Sequence, residues 1–178
     1  MSSELLLLIG ISFSLGFTPG PNNAVASYSA FNFGFKKTIP LIMGVGFGYT
    51  VLVILINFVL ISVFKEYPII QEIIRILGTI FLIYLAYKIA TADVSNDESK
   101  RNPVTFYDTF IFQFINPKGV MAAITLISKF VDQDNYFQTS LMVIFVCAFS
   151  AFLSITACTL LGKFLRFFAA YISFIKRF

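Results

Sequence analysis

Histidine and tryptophan are absent from this chain, and charged residues make up only 12% of it. The shortage of charge excludes a soluble domain, in which about 25% of residues are charged. With 58% hydrophobic residues and a mean hydropathy of +0.86, the composition is that of an integral membrane protein. The missing histidine, the lack of a metal-ligand cluster and the lack of two carboxylates within one expected cavity argue against an enzyme. No metal and no cofactor are expected. The net charge of +4 is no footprint of nucleic-acid binding, because the basic residues are scattered at helix ends and loops, where membrane orientation is set. Only two cysteines occur, Cys147 and Cys158, in one apolar segment. At that separation on a helix they cannot bridge, so both are expected as buried, reduced thiols. A basic n-region is lacking at the N-terminus, which carries Glu4 instead. Ala24-Val25-Ala26 mimics a cleavage site but follows a turn inside a longer span, so no cleaved signal is expected. Alternation of polar and apolar residues is lacking too, which excludes transmembrane strands. Phenylalanine is abundant, at 23 residues, and suits a lipid-facing or tightly packed bundle.

Taking about 20 apolar residues per crossing, five segments qualify as spans: about Glu4–Phe33, Ile39–Phe64, Ile69–Ala92, Phe106–Val131 and Tyr136–Leu161. The fold expected is all-α, a polytopic transmembrane helical bundle forming a single membrane domain over residues 1–178. The hydrophilic stretch at about 91–105 divides it into a front part, about 1–92, and a back part, about 106–178. Residues 162–178 mix Lys163, Arg166, Lys176 and Arg177 with phenylalanines, and read as an interfacial amphipathic helix. With the N-terminus outside, nine of the thirteen basic residues fall inside, as the positive-inside rule requires.

Two of these spans are broken. Phe17-Thr18-Pro19-Gly20-Pro21-Asn22-Asn23 interrupts the first. Each proline removes a backbone donor and clashes with the preceding turn, so the helix cannot run through. Ile115-Asn116-Pro117-Lys118 interrupts the fourth. Non-helical backbone at membrane depth is tolerated only where protein buries it or it lines a wet cavity. Paired interruptions in corresponding positions of two halves point to a transport site. A unit of three spans inverts when it recurs, so the pattern reads as a 3+3-type inverted repeat with broken first and fourth helices.

At these residues the chain resembles the LysE/RhtB family of bacterial amino-acid exporters. The resemblance is carried by GFTPGPNNAV at 16–25, FGFKK at 33–37, GVGFG at 44–48, LGTIFLIYLAYK at 77–88 and FIFQFINPK at 110–118. It implies a multi-pass protein of the bacterial inner membrane that exports amino acids or their derivatives from the cytoplasm, driven by an ion gradient. It implies about six spans, three to a half, so a final span is expected to be missing from the back part or supplied by a second copy. Its partners would be lipid and a small amino-acid substrate, with a homo-oligomer possible and no nucleic acid. Tyr49 stands where relatives often carry an ionisable or strongly polar residue, and no protonatable switch transfers to it.

The site residues follow from the chemistry of a free amino acid, which presents a carboxylate and an ammonium. A helix restarting after Pro21 aims its first amides into the break, where they suit a carboxylate. Carbonyls freed around Thr18, Pro19 and Gly20 could take the ammonium. Asn22 and Asn23 offer both donors and acceptors, or merely cap the restarted helix. Asn116, Pro117 and Lys118 are the counterparts in the back part; Lys118 supplies positive charge to a carboxylate or snorkels to an interface. Gln113, near one turn from Pro117, lines the same cavity. Gly44 and Gly48 form a GxxxG spacing that reads as helix packing, as do Ser150 and Ser154. Glu72 and Arg75 share a helix face and read as a surface pair, and Asp108 reads as interfacial. Tyr28, Tyr49, Tyr84 and Tyr87 could bring hydroxyls to a cavity. The interior spans carry almost no acidic residues, which favours neutral cargo such as threonine, homoserine or leucine-like species. The runner-up readings are a transporter of another small solute or cation, and a non-transporting scaffold or truncated family member.

Overall fold

In a computed structural model, residues 2–60, 66, 67, 69, 70, 72, 73, 76, 77, 79, 80, 83 and 103–175 are described. Most of the expected third span and most of the hydrophilic linker lie outside them, as do Arg75, Tyr84 and Tyr87. The elements are helical: α1 (Ser2–Phe17), α2 (Pro21–Phe33), α3 (Phe35–Leu55) running into a π-helical turn (Ile56–Leu60), α4 (Phe106–Ile115), α5 (Pro117–Phe130) and α6 (Tyr136–Ile175). Large apolar side chains point outward all round the bundle: Phe145 is 72% exposed and Phe167 70%. In water that surface would aggregate; in lipid it is the ordinary outside of a bundle. The chain is an all-α, multi-pass membrane protein.

Both expected breaks are present. α1 and α2 meet at a bend of 56°, α4 and α5 at 61°. Each second helix starts on its proline, where the missing N–H would have had no acceptor and the fixed φ already suits a helix. Counting each bent pair as one span, the described residues contain up to four, the others being Phe35–Val59 and Tyr136–Ala169.

Two boundaries differ from the sequence reading. α3 starts at Phe35 rather than Ile39, ahead of the two lysines, because Gly34 adopts φ +83°. Only glycine enters that region without strain, so it turns the chain sharply from α2 into α3. The second difference is at the other end. No separate interfacial helix begins at Gly162, since α6 runs on for 40 residues. At 1.5 Å per residue that is about 60 Å, twice the thickness of a hydrocarbon core. Gly162 acts there as a contact: a Cβ on it would lie 2.1 Å from the Ser27 carbonyl oxygen, so its bareness lets α6 lie against α2. Ser27 Oγ also donates to the Cys158 carbonyl at 2.9 Å.

Packing joins α6 to α1, α2 and α3, and α3 to α4. Gly44 and Gly48 form the close face of α3, with Phe106, Thr109, Phe110 and Gln113 of α4 against them, and Gly46 faces the ring of Phe152 on α6. Ser150 and Ser154 lie over Gly16 of α1, and Ser150 Oγ donates to the Ser12 carbonyl at 2.9 Å. One apolar core unites Leu8, Val53, Ile56, Val120, Leu126 and Val143. A smaller one joins Ala26, Leu41, Val45 and Ile155. Asp108 belongs to a capping box: its carboxylate takes the Thr105 N–H and its own N–H donates to Thr105 Oγ1, which fixes where α4 begins. Both cysteines are free; Cys147 is buried, but Cys158 is only partly so, because it lies at the α2 contact rather than within the core.

Candidate functional site

The bends matter because they leave backbone groups without helical partners. In α2 the first bond of the ladder is Ala24 N–H to Gly20 O, and in α5 it is Val120 N–H to Asn116 O. The amides of Asn22, Asn23, Lys118 and Gly119 therefore precede their ladders. Neither helix has a side-chain cap at its N-terminus. Two uncapped helix starts, each with the positive end of its dipole, open onto one cavity.

That cavity is partly open to the outside, and about 590 Å³ in and around it, open solvent included, is free of protein atoms. Its polar wall comes from Ser12, Asn22, Asn23, Tyr49, Gln113, Asn116, Lys118, Ser150 and Ser154, and its apolar wall includes Leu15, Val45, Leu126 and Ile155. Every polar group in it but Lys118 is neutral near pH 7.

Two links tie the breaks together across this space. Asn22 Nδ2 donates to Gln113 Oε1 at 2.9 Å, and Gln113 Nε2 returns a longer bond to Asn22 Oδ1 at 3.3 Å. Gln113 is fully buried and is held in place by a further bond to the Thr109 carbonyl at 2.8 Å. The second link is the ammonium of Lys118, which donates to the Thr18 carbonyl. Gly20 leaves room for it: a Cβ there would come within 3.0 Å of Lys118 Cδ.

Of the residues expected from sequence, Gly20, Pro21, Asn22, Asn23, Gln113, Asn116 and Lys118 line the cavity, while Thr18, Pro19 and Pro117 do not. Thr18 and Pro19 are exposed, and Thr18 Oγ1 turns back onto the Ser14 carbonyl at 2.6 Å. Two of the freed carbonyls, those of Gly16 and Thr18, are occupied by the protein's own side chains. Asn23 Nδ2 donates to Gly16 O at 3.0 Å and to Thr18 O at 3.1 Å. Asn23 thus closes the end of α1 rather than capping α2. Tyr49 lines the cavity; Tyr28 does not. Ser12, Gly16, Gly119, Ser150 and Ser154 are walls that sequence reading missed or gave to packing. The serine pair and Ser12 did carry a signal: polar hydroxyls one helical turn from another small residue, in spans otherwise apolar.

Comparison with known proteins fits this geometry. The family described as LysE type translocator matches residues 13–177, nearly the whole chain. Two similar curated proteins are the cysteine/O-acetylserine efflux proteins of Salmonella typhimurium (strain LT2), 33% identical, and Escherichia coli (strain K12), 31% identical. Each alignment covers 114 residues, 64% of this chain and 58% of the relative. No solved structure matches the chain. With both breaks inside the matched residues, the chain belongs to the LysE type translocator family.

Proposed function

We propose that this protein exports small neutral amino acids or their derivatives from the bacterial cytoplasm across the inner membrane, by alternating access around its two broken helices. The observation that carries the reading is the meeting of both breaks at a single cavity, held by the Asn22–Gln113 pair and the Lys118–Thr18 link. A zwitterion is costly to expose to hydrocarbon, so its site must serve both charges at once. Lys118 and the uncapped helix starts serve a carboxylate; neutral oxygens serve an ammonium. Among the described residues the wall carries no acidic side chain and so gives no counter-charge to a basic side chain, which favours neutral cargo. Relatives named for cysteine and O-acetylserine efflux agree with that class.

The test is efflux of labelled L-cysteine and O-acetyl-L-serine from cells or inverted vesicles containing the full chain. Asn22→Ala strands the buried Gln113 amide, and the loss of one such bond, about 1–3 kcal/mol, predicts export lowered about tenfold or more with insertion intact. Pro21→Ala removes the fixed φ that starts α2 and lowers export in the same direction. Normal export by both variants ends the assignment, and a wild type that moves only cations or non-amino solutes selects the rival transporter.

In the proposed orientation the N-terminus is outside. Support comes from the bundle end at which the α2–α3 turn meets the extension of α6: Arg166 Nη1 lies 3.3 Å from where a Cβ on Gly34 would be, and Lys163 Nζ is 6.0 Å from the Phe35 ring centroid. Lys36 and Lys37 follow directly, so one end of the bundle collects four basic residues, as a cytoplasmic end should. Lys37→Cys is expected to react with a membrane-impermeant maleimide in inside-out vesicles and not in intact spheroplasts; the opposite pattern inverts the topology.

A further inference from the structure

The amides around the cavity are not equivalent. Asn22 and Gln113 are committed to each other, and Asn23 is spent on Gly16 O and Thr18 O. Asn116 remains. It is 2% exposed, it lines the cavity, and its Oδ1 has no hydrogen-bond partner among the described residues. It sits at the N-cap of α5 without capping it. An N-cap asparagine ordinarily bonds an amide two or three residues on, so a buried one that does neither carries a cost of about 1–3 kcal/mol unless something else satisfies it. Gly119 keeps space beside it: a Cβ there would be 3.6 Å from Asn116 Nδ2 and from the Tyr49 ring. Rotation of the amide about its last bond exchanges oxygen and nitrogen toward that space.

The proposed site also needs an acceptor placed for a cationic end. Lys118 and the free amides are all donors, and suit an anionic end. At the first break the carbonyls of Gly16 and Thr18 already receive Asn23 and Lys118. We infer that Asn116 is the acceptor for the cargo's α-ammonium, on the same cavity wall as the Lys118 ammonium that suits its carboxylate. On this assignment Asn22 and Gln113 are a clamp that closes the two breaks, and Asn116 makes the site select amino acids over acids lacking the ammonium. The inference rests on the export reading above.

The test measures binding to the purified full chain, using L-cysteine under reducing conditions and 3-mercaptolactate, in which a hydroxyl replaces the ammonium. Wild type is expected to favour cysteine by about tenfold or more, the worth of a charge-assisted bond. Asn116→Leu, close in size, should weaken cysteine by about that factor while leaving 3-mercaptolactate within about twofold, so that the preference collapses. Asn116→Asp, which can only accept, should keep the preference for cysteine; Asn116→Ser gives a second, smaller acceptor should the aspartate variant fail to insert. Unchanged cysteine affinity in Asn116→Leu, or equal weakening of both ligands, overturns the inference while leaving amino-acid export standing. A wild type that binds none of cysteine, serine and O-acetylserine overturns the export reading and this inference with it.

Discussion

Gly44→Ala is expected to cost this protein more stability than any other single added methyl group on the α3 face. A Cβ at Gly44 would lie 2.1 Å from Thr109 Oγ1 and 2.4 Å from the Phe106 carbonyl oxygen. The hydroxyl has little freedom to leave, because it is bonded among Leu41 O at 3.3 Å and Thr105 and Phe106 O at 3.2 Å each. The carbonyl is backbone and cannot rotate away without moving the start of α4. Relief therefore requires the two helices to separate, and overpacking of this kind costs about 1–3 kcal/mol or more. In lipid the loss is not offset by hydrophobic association, since close van der Waals approach is what joins the helices. Gly48→Ala, with its nearest α4 atoms at 2.8–2.9 Å, should be milder. Gly10→Ala is the control: nothing lies within 4 Å, and better helix propensity should hold or raise stability. Thermal denaturation in detergent, followed by size-exclusion of the surviving fraction, should rank them Gly44→Ala below Gly48→Ala below wild type and Gly10→Ala. A Gly44→Ala protein that melts with wild type would show that α3 and α4 do not meet closely. The same displacement reaches the cavity, because Gln113 hangs on the Thr109 carbonyl. A weakened but inserted Gly44→Ala protein should therefore also export less.

What the sequence made legible here is what breaks rules locally. Two prolines with glycine and asparagine inside apolar runs could not be continuous helix, and the bends at 18–20 and 116 stand where chemistry forbids continuation. GxxxG marked the close face of α3 for the same reason: bare backbone has one obvious use among helices. The pairing of partners was not legible. Nothing local says that Asn22 finds a glutamine 91 residues away, or that the carbonyl of Thr18, an exposed residue, receives Lys118 rather than a ligand. Those bonds depend on how the bent pairs are set against each other, a tertiary matter. α6 was misjudged because charge at 163 and 166 was taken as an end. Helices tolerate exposed Lys and Arg, and only a breaker or a cap would have stopped it. Gly162, inside α6, is a contact with α2.

Lys118→Met should produce the largest loss of transport with the least loss of fold. Methionine keeps most of the stem that crosses Gly20 and removes only the charge. The bond lost within the protein, to the Thr18 carbonyl, is an exposed one, and its contribution to stability is small, since that carbonyl can find another donor. Its consequence for the cavity is different. Among the described residues, Lys118 is the only charged side chain on the wall. A carboxylate partnered by an ammonium gains about 1.5–3 kcal/mol over an unpaired one, or roughly tenfold to more than a hundredfold in affinity. The same ammonium joins the two breaks when the cavity is empty. On the proposed export reading, an arriving carboxylate would be a stronger partner for it than a neutral carbonyl, so occupancy would draw Lys118 off Thr18 and loosen one of the two links between the bent pairs. Occupancy and opening would then be coupled through one side chain, with the Asn22–Gln113 pair as the remaining link. Lys118→Met should lower export of L-cysteine by tenfold to a hundredfold with near-normal thermal stability. Lys118→Arg should retain part of the activity: the charge remains, but the planar fork is wider than an ammonium and meets Gly20 less closely. Export by Lys118→Met within about threefold of wild type, a difference under 1 kcal/mol, would remove the lysine from recognition and leave it as a brace between the breaks.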